Sequence, residues 1–298
     1  MYFTCIITCY NRESTIERAI NSILNQSYQN FEIIVVDDGS KDHSVEIIKS
    51  ITDSRITIVE HKINQGQNAA LNSGIRISKF EYLAFLDSDD VWLPSYLHEM
   101  HQAYISNPNA AFTYCNLVNG PLWTLEGVNK YADVLNQGYL SSMISITAKK
   151  NAVISINGFD PRYTVCQDDD FCFRLAKQYS FSVIKKQLAE VHGATDSMTK
   201  NMVKVAEGWD FLFKDYKKDI LNFCGAKSFS RHTLNVALQY FNCNRFFAGL
   251  KCYIKGIFFF IKPGNNKFSF SRAEFIAINK KIFLLLAGRI KRVITKLI

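Results

Sequence analysis

Two aspartates one residue apart, Asp87 and Asp89, leave the apolar run Leu83-Ala-Phe-Leu86 within Asp87-Ser-Asp-Asp90. Carboxylates so placed can offer hard oxygen ligands to Mg2+ or Mn2+, which in turn bridges substrate phosphates. An acid-rich turn is also ordinary solvated surface, so the pair needs companions before it means chemistry. Three further acids, Asp168-Asp-Asp170, open a segment whose apolar side carries Phe171 and Leu175. The positive end of a helix dipole stabilises acids there, and any one of them could instead act as general base toward a hydroxyl. His192 lies in Glu190-Val-His-Gly193, ahead of Thr195, Ser197 and Thr199. A lone histidine is usually a plain surface or core residue; beside the Asp87-x-Asp89 pair its neutral imidazole becomes a candidate metal ligand. Asp37-Asp-Gly-Ser40 reads as turn chemistry, in which Asp38 could also accept a hydrogen bond from a base or a ribose.

These groups need a scaffold that collects them. Phe3–Cys9, Phe31–Asp37, Arg55–Glu60 and Tyr82–Asp87 are apolar runs too short for helices and rich in β-formers, which predicts buried parallel strands. Helical patterns lie between them: one opens at the capping box Ser14-Thr-Ile-Glu17 and continues through Ala19, Ile20 and Ile23, and others cover about 42–50 and 67–78. Such alternation implies right-handed crossovers and an open, doubly wound α/β sheet, whose ligands sit at the carboxyl ends of the strands. Thr8-Cys-Tyr10, Asp37-Asp38, His61 to Gly66 and Asp87 to Asp90 all follow strands, so polar groups converge on one edge. Neither G-x-G-x-x-G nor G-x-x-x-x-G-K-[ST] occurs, which excludes a dinucleotide fingerprint and a P-loop. Further strands are predicted at Ala110–Cys115 and Phe181–Ile184. Residues 117–138 form the least regular stretch, an expected acceptor-side loop. From about 203 the pattern is helical, which gives two parts, 1–200 and 201–298.

The 298 residues are 48% hydrophobic and 21% charged, a globular composition that excludes disorder as the main state. The net charge of +8 is unevenly spread. Residues 249–298 hold eleven Lys/Arg and one acid, Glu274, for +10, leaving 24 basic against 26 acidic residues elsewhere. A near-neutral body with a basic tail suits an anionic surface, membrane or nucleic acid. Eight cysteines show neither a C-x-x-C pair nor zinc spacing, which predicts reduced core thiols. The N-terminus enters a strand at once without a basic leader, and no apolar run reaches the roughly 18 residues of a spanning helix. The expected location is the cytoplasm, peripheral on the inner face of the cell membrane.

The ordered set Ile7-Thr-Cys-Tyr-Asn-Arg12, Val35-Val-Asp-Asp-Gly-Ser-Lys-Asp42, Asn64-x-Gly66, Ala70-Leu-Asn-x-Gly74, Phe85-Leu-Asp-Ser-Asp-Asp90, Gly158-Phe-Asp160, Gln167-Asp-Asp-Asp170 with Arg174, and His192 resembles the family 2 glycosyltransferases of GT-A fold, of bacterial polysaccharide and envelope type. The likeness covers residues 1–200. It implies an inverting, metal-dependent transfer of a hexosyl or N-acetylhexosaminyl group from a nucleotide-diphosphate sugar, commonly a UDP-sugar, to an acceptor hydroxyl on a glycan or lipid-linked molecule. The matching positions imply that Thr8 and Tyr10 line the nucleotide pocket, that Asp38 binds the base and that Asp87 faces the ribose and the metal. They make Asp89 the main ligand of Mn2+ or Mg2+, assisted by His192. The family's base is the Asp of a Glu-Asp pair; Gln167 stands where that Glu would be, so the role falls on Asp168, with Asp169 and Asp170 beside it. Leu71 stands where some relatives carry Arg. Two other readings compete: a catalytically inactive GT-A domain acting as a nucleotide-sugar sensor or membrane scaffold, and a sugar-phosphate nucleotidyltransferase. The second lacks its Gly-rich phosphate loop in this sequence.

In the tail, Ser271-Arg-Ala-Glu274 is a second capping box. On a wheel, Lys280, Lys281, Arg289, Lys291, Arg292 and Lys296 occupy one half, and Ile282, Leu286, Ile290, Val293 and Leu297 the other. Gly256-Ile-Phe-Phe-Phe-Ile261 adds an apolar patch. Such a helix either packs its apolar stripe on the body or lies on an anionic membrane surface. Nucleic acid is not expected, because the apolar face is too continuous for a solvated basic arm.

Overall fold

The computed structural model describes residues 1–120, 122, 130–138, 142–193, 201–262 and 267–297, with backbone alone at 130 and 288–297. Within these residues the chain forms two compact units, 1–130 with 139–195, and 131–138 with 196–298.

In the first unit β1 (Phe3–Cys9), α1 (Ile16–Leu24), β2 (Phe31–Asp37), α2 (Ser44–Ser50), β3 (Ile56–Glu60), α3 (Gln67–Ile77) and β4 (Tyr82–Asp87) alternate as the apolar runs predict. Then follow β5 (Val91–Trp92), α4 (Tyr96–Ser106), β6 (Phe112–Leu117), α5 (Lys130–Gln137), a 3-10 turn, β7 (Ile146–Lys149), α6 (Lys150–Ser155), α7 (Gln167–Gln178) and β8 (Phe181–Glu190). The sheet order is β3-β2-β1-β4-β7-β6-β8-β5. The first four strands are mutually parallel where they pair, β7 runs antiparallel to β4 and β6, and β5 antiparallel to β8. A mixed, mostly parallel sheet flanked by helices is the architecture expected.

Alternate side chains of β1 serve opposite layers, as a two-sided buried strand requires. Phe3, Cys5, Ile7 and Cys9 join Ile16, Ile20 and Ile23 of α1 and Leu97 and Met100 of α4 in one core. On the other face Phe85 meets Phe159 and Phe171, the latter pair stacked at 4.3 Å, which seats α7. Burying side chains of this size contributes about 1.5–3 kcal/mol each.

Several local expectations are revised. Helix α1 starts at Ile16 after Thr15, with no side-chain cap. Its first amides, Thr15 and Ile16, donate instead to the Arg12 carbonyl at 3.0 and 2.9 Å, so Ser14 and Glu17 form no box. Strand β8 continues to Glu190, six residues past the predicted end. The two-residue β5 has too little sequence to show periodicity; Trp92 holds it, stacked on Tyr96 at 4.2 Å and donating from Nε1 to the Ile144 carbonyl at 2.7 Å. Residues 130–137 of the supposed irregular stretch are helical, and 121 and 123–129 lie outside the described residues. All eight cysteines are free thiols, six of them buried.

The second unit contains residues 131–137 of α5 and Gly138 with α8 (Met202–Asp215), α9 (Lys217–Phe223), α10 (Ala226–Asn242), α11 (Phe246–Ile261) and α12 (Arg272–Leu297). Here the second capping box forms as predicted: the Ser271 amide donates to Glu274 Oε2 at 2.8 Å, and the Glu274 amide to Ser271 Oγ at 3.1 Å. His232 is buried within this unit, its ring stacked on Phe213 at 4.4 Å, and burial pushes its pKa down to about 3. Among the described residues no helix is long and apolar enough to cross a membrane.

Candidate active site

Parallel pairing aligns the strand ends. Thr8 is in register with Val36 and with Asp87, and Cys9 with Asp37, so β1, β2 and β4 deliver their polar followers to one edge. Thr8 is buried there and Tyr10 exposed. The Asp38 amide donates to the Cys9 carbonyl at 2.7 Å, and its carboxylate gathers the loop after β3. Oδ1 accepts from the Gln65 amide at 2.9 Å, Oδ2 from the Gly66 amide at 2.7 Å, and His61 Nδ1 lies 2.7 Å from Oδ1. His61 Nε2 reaches Ser73 Oγ at 3.0 Å. Among the described residues, three acceptor positions of Asp38 are thus occupied and one remains. The neighbouring Asp37 turns Oδ2 onto the Gly39 and Ser40 amides, while its buried Oδ1 has no partner among the described residues.

The Asp87–Asp90 turn closes with the Asp90 amide on the Asp87 carbonyl at 3.1 Å, and Arg18 Nη2 holds the Asp89 carbonyl at 2.7 Å. Because Val91 pairs with Glu190, the end of β8 comes back to this turn. Asp90, itself buried, accepts the His192 amide at 2.8 Å and the Gly193 amide at 3.4 Å. The imidazole of His192 is exposed beside the Glu190 carboxylate, 3.5 Å away. Thr195, Ser197 and Thr199 lie outside the described residues.

Helix α7 brings its first turn to the same edge. Cys166 precedes it in the left-handed region, φ 60°. Of the three acids, Asp170 is committed to Arg174, which donates to its Oδ2 from Nε at 2.9 Å and Nη2 at 2.6 Å. Arg174 Nη1 also holds the Ile156 and Gly158 carbonyls. The segment is clamped again from α3. Asn72 exchanges hydrogen bonds with both backbone groups of Phe159, and Asn68 Nδ2 reaches the Asp160 and Tyr163 carbonyls. Gly158 has φ +64°, and a Cβ there would meet Asn72 Oδ1 at 2.3 Å, which explains glycine at this position. The Ala-Leu-Asn and Gly-Phe-Asp motifs therefore position the acidic helix.

Asp168 faces the other way electrostatically: it lies close enough for its charge to raise the pKa of Asp87. Burial comes first, then Asp90, Asp89 and Asp168, and together they push Asp87 up to about 8 despite a 2.8 Å hydrogen bond from Gln67 Nε2. Gln67 is oriented by Gln167, whose Nε2 donates to Gln67 Oε1 at 3.0 Å; Gln167 Oε1 has no partner among the described residues. Burial also raises the Asp168 and Asp90 carboxyls. No three His, Cys, Asp or Glu side chains among the described residues already form a metal cage. The donor types nevertheless fit a divalent cation, because Asp87 is destabilised as an anion by three like-charged neighbours, and hard cations often take one or two carboxylates with the rest from phosphate.

The structure thus places Thr8, Asp38, Asp87, Asp89, Asp168 and His192 at one sheet edge, with Tyr10 exposed after β1. Residue types alone did not reveal Asp90, His61, Gln67 and Gln167. His61 and Gln67 belong to the polar segments after β3, a positional signal without a chemical one.

The profile of glycosyl transferase family 2 matches residues 4–181, which contain all of these except His192. The chain belongs to that family. The family 2 protein is 27% identical over 228 residues, 72% of this chain and 77% of that protein, to an uncharacterized glycosyltransferase of Haemophilus influenzae. It is 34% identical over 142 residues to the Escherichia coli UDP-Glc:alpha-D-GlcNAc-diphosphoundecaprenol beta-1,3-glucosyltransferase WfaP, covering 47% of this chain and 56% of WfaP, just over half of that enzyme. Among solved structures, the mannosyltransferase PcManGT from Pyrobaculum calidifontis in complex with GDP-Man and Mn2+ matches with a TM-score of 0.63 over 98% of this chain and 86% of that one, at 15% identity. S. aureus TarS 1-349 in complex with UDP matches with a TM-score of 0.57 over 87% and 89%, at 18% identity. Identities this low speak for the shared GT-A fold.

Proposed function

We propose that this glycosyltransferase transfers a hexosyl or N-acetylhexosaminyl group, with inversion, from a UDP-sugar to a hydroxyl of a glycan or lipid-linked acceptor in polysaccharide or glycoconjugate synthesis. The observation that carries the reading is the meeting at one edge of the Asp87–Asp90 turn, the His192 strand end and the acidic first turn of α7. WfaP, by its name, uses UDP-glucose and a diphosphoundecaprenol-linked substrate, which supports the donor and acceptor classes. Such an acceptor would bring the enzyme to the inner face of the cell membrane.

Thr8 and Tyr10 line the nucleotide pocket, and the one open acceptor position of Asp38 takes an N–H of the base. Asp87 faces the ribose. Asp89, His192 and Asp87 would hold Mn2+ or Mg2+, which when bound neutralises the negative charge of the departing diphosphate. Asp168 accepts the proton of the attacking hydroxyl. Its raised pKa makes it a stronger base than an ordinary carboxylate while Asp170 remains tied to Arg174. One displacement inverts the anomeric carbon; a product that keeps the donor's configuration would overturn this mechanism.

A thermal-shift screen of UDP, GDP, dTDP and CMP, each with Mn2+ and with EDTA, tests the donor site. Binding at a hundredfold the dissociation constant adds about 2.7 kcal/mol of stability. A metal-dependent shift with UDP is expected; no shift with any nucleotide removes the donor-site reading.

A further inference from the structure

Helix α11 has one face left exposed among the described residues. Phe247, Leu250, Ile254, Phe258 and Ile261 are all exposed, Phe247 to 86% and Ile261 to 71%. Their steps of three and four residues stack them in one stripe, roughly 21 Å long at 1.5 Å per residue. The opposite side is fully used: Cys252, Gly256 and Phe259 are buried, and a Cβ on Gly256 would lie 2.6 Å from Leu234 of α10. Helix α12, joined to α11 by the Phe260–Phe275 stack at 3.8 Å, exposes Ile276, Phe283 and Leu284 as well. Single exposed apolar residues are ordinary, but nine large ones on two consecutive helices, Phe246 included, mark an interaction surface.

The charge on this surface decides what covers it. Lys251, Lys255 and Lys262 fall along one border of the α11 stripe, and exposed Lys280 and Lys281 accompany the α12 residues. The single acid after residue 248, Glu274, is engaged by the Ser271 amide. A second copy would set the +10 of residues 249–298 against an equal charge, which opposes self-association through this face. Lys255 and Lys262 already sit over the Phe229 and Phe259 rings, and a neutral apolar groove would bring no counter-charge to Lys251, Lys262, Lys280 and Lys281. A bilayer with anionic headgroups satisfies both, and no described helix is long and apolar enough to span it.

We propose that the α11 stripe, Phe247 to Ile261, lies in the headgroup boundary of an anionic lipid bilayer, with the flanking lysines on the phosphates. The sequence pattern leaves the apolar stripe of the last helix, Ile282 included, either on the body or on an anionic membrane surface, with Gly256–Ile261 as a second apolar patch. The described part of α12 buries Ile282 and leaves Phe283 and Leu284 outward with the lysines, and side chains from 288 onward lie outside the described residues. The surface does not depend on which sugar is transferred or on a lipid-linked acceptor.

Co-sedimentation of the full chain with phosphatidylcholine vesicles, with and without phosphatidylglycerol, tests it. Binding to the anionic vesicles alone is expected. The double variant Ile254→Glu, Phe258→Glu should bind about tenfold more weakly or worse, with an unchanged melting temperature. The uncharged pair Ile254→Ser, Phe258→Ser should weaken binding in the same direction, and Lys251→Glu with Lys262→Glu should weaken it most at low salt. Absence of binding to anionic vesicles, or binding that both Ile254/Phe258 variants leave unchanged, overturns the proposal. So does a dimer by light scattering that these variants dissociate, which would make the occupant a second copy. The UDP thermal shift is read on the same samples, so a wild-type protein that fails to bind anionic vesicles while keeping the shift rejects this surface without touching the donor site.

Discussion

The catalytic edge and the C-terminal helices both collect like charges, and they manage them in opposite ways. At the edge, Asp87, Asp89, Asp90 and Asp168 are drawn together by the turn after β4 and the first turn of α7, with Asp90 buried and the others half-buried. The cost appears as an Asp87 carboxyl pushed up to about 8. On α11 and α12 Lys251, Lys280 and Lys281 stand on open helix surface, where water screens them, while Lys255 is half-buried over the Phe229 ring and burial lowers its pKa. Crowded acids call for a cation brought by the substrate; dispersed surface lysines call for an extended anionic surface. Function follows from how the fold distributes the charge more than from its amount.

The contrast can be broken most strongly at Asp168. Asp168→Asn should reduce transfer by roughly two to four orders of magnitude, the usual contribution of a general base, while nucleotide binding in the thermal-shift assay persists. Unchanged turnover would move the role to Asp169. Asp170→Ala leaves the Arg174 guanidinium without its carboxylate and should cost about 3–5 kcal/mol in urea unfolding, since half of a buried pair is removed. The two neighbours in one helical turn would then differ in kind, one chemical and one structural.

The pH dependence sharpens the same comparison. A carboxyl whose folded pKa lies above its unfolded value binds the proton more tightly in the native state. The stability Asp87 contributes is therefore fully present below its ordinary 3.8 and is lost as pH rises through about 8. The metal-free protein should lose up to about 1.4 kcal/mol per pH unit in that window from this group. Asp87→Asn should flatten the slope, and Mn2+ should stabilise the wild type more at the alkaline end than at the acid end. The smallest effect belongs to the helices: Lys280→Ala should change stability by less than about 0.5 kcal/mol, because Lys280 is exposed.

Much of the first unit is legible in the chain. Four short apolar runs separated by helical patterns give β1 to β4 nearly to the residue: β1, β2 and the middle of β4 are buried on both faces, which leaves an uninterrupted apolar signature, whereas the edge strand β3, expected to be buried, is half-exposed. The box at Ser271 forms and the one at Ser14 does not, although both have the same pattern. At Ser14 the chain turns earlier, and the Arg12 carbonyl takes the amides that a cap would have served. Strands β5 and β7 were not predicted, since two and four residues cannot show a period. Asp90 and Gln67 look like any turn or helix residue until His192 and Asp87 arrive from elsewhere in the chain.

The sequence by itself determined the alternating strands and helices, the edge where polar groups collect, the Asp87-x-Asp89 pair and the concentration of positive charge after residue 248, because each is written in local composition or in a period of two or 3.6 residues. The tertiary structure alone decided which acid of Asp168-Asp-Asp170 is tied to Arg174 and which shares the field of Asp87, that Asp90 carries the His192 strand end, and that α11 turns its aromatic stripe outward. Those outcomes depend on contacts between residues far apart in the chain, and the energy of a carboxylate is set by the charges and protein atoms around it, not by its neighbours in sequence.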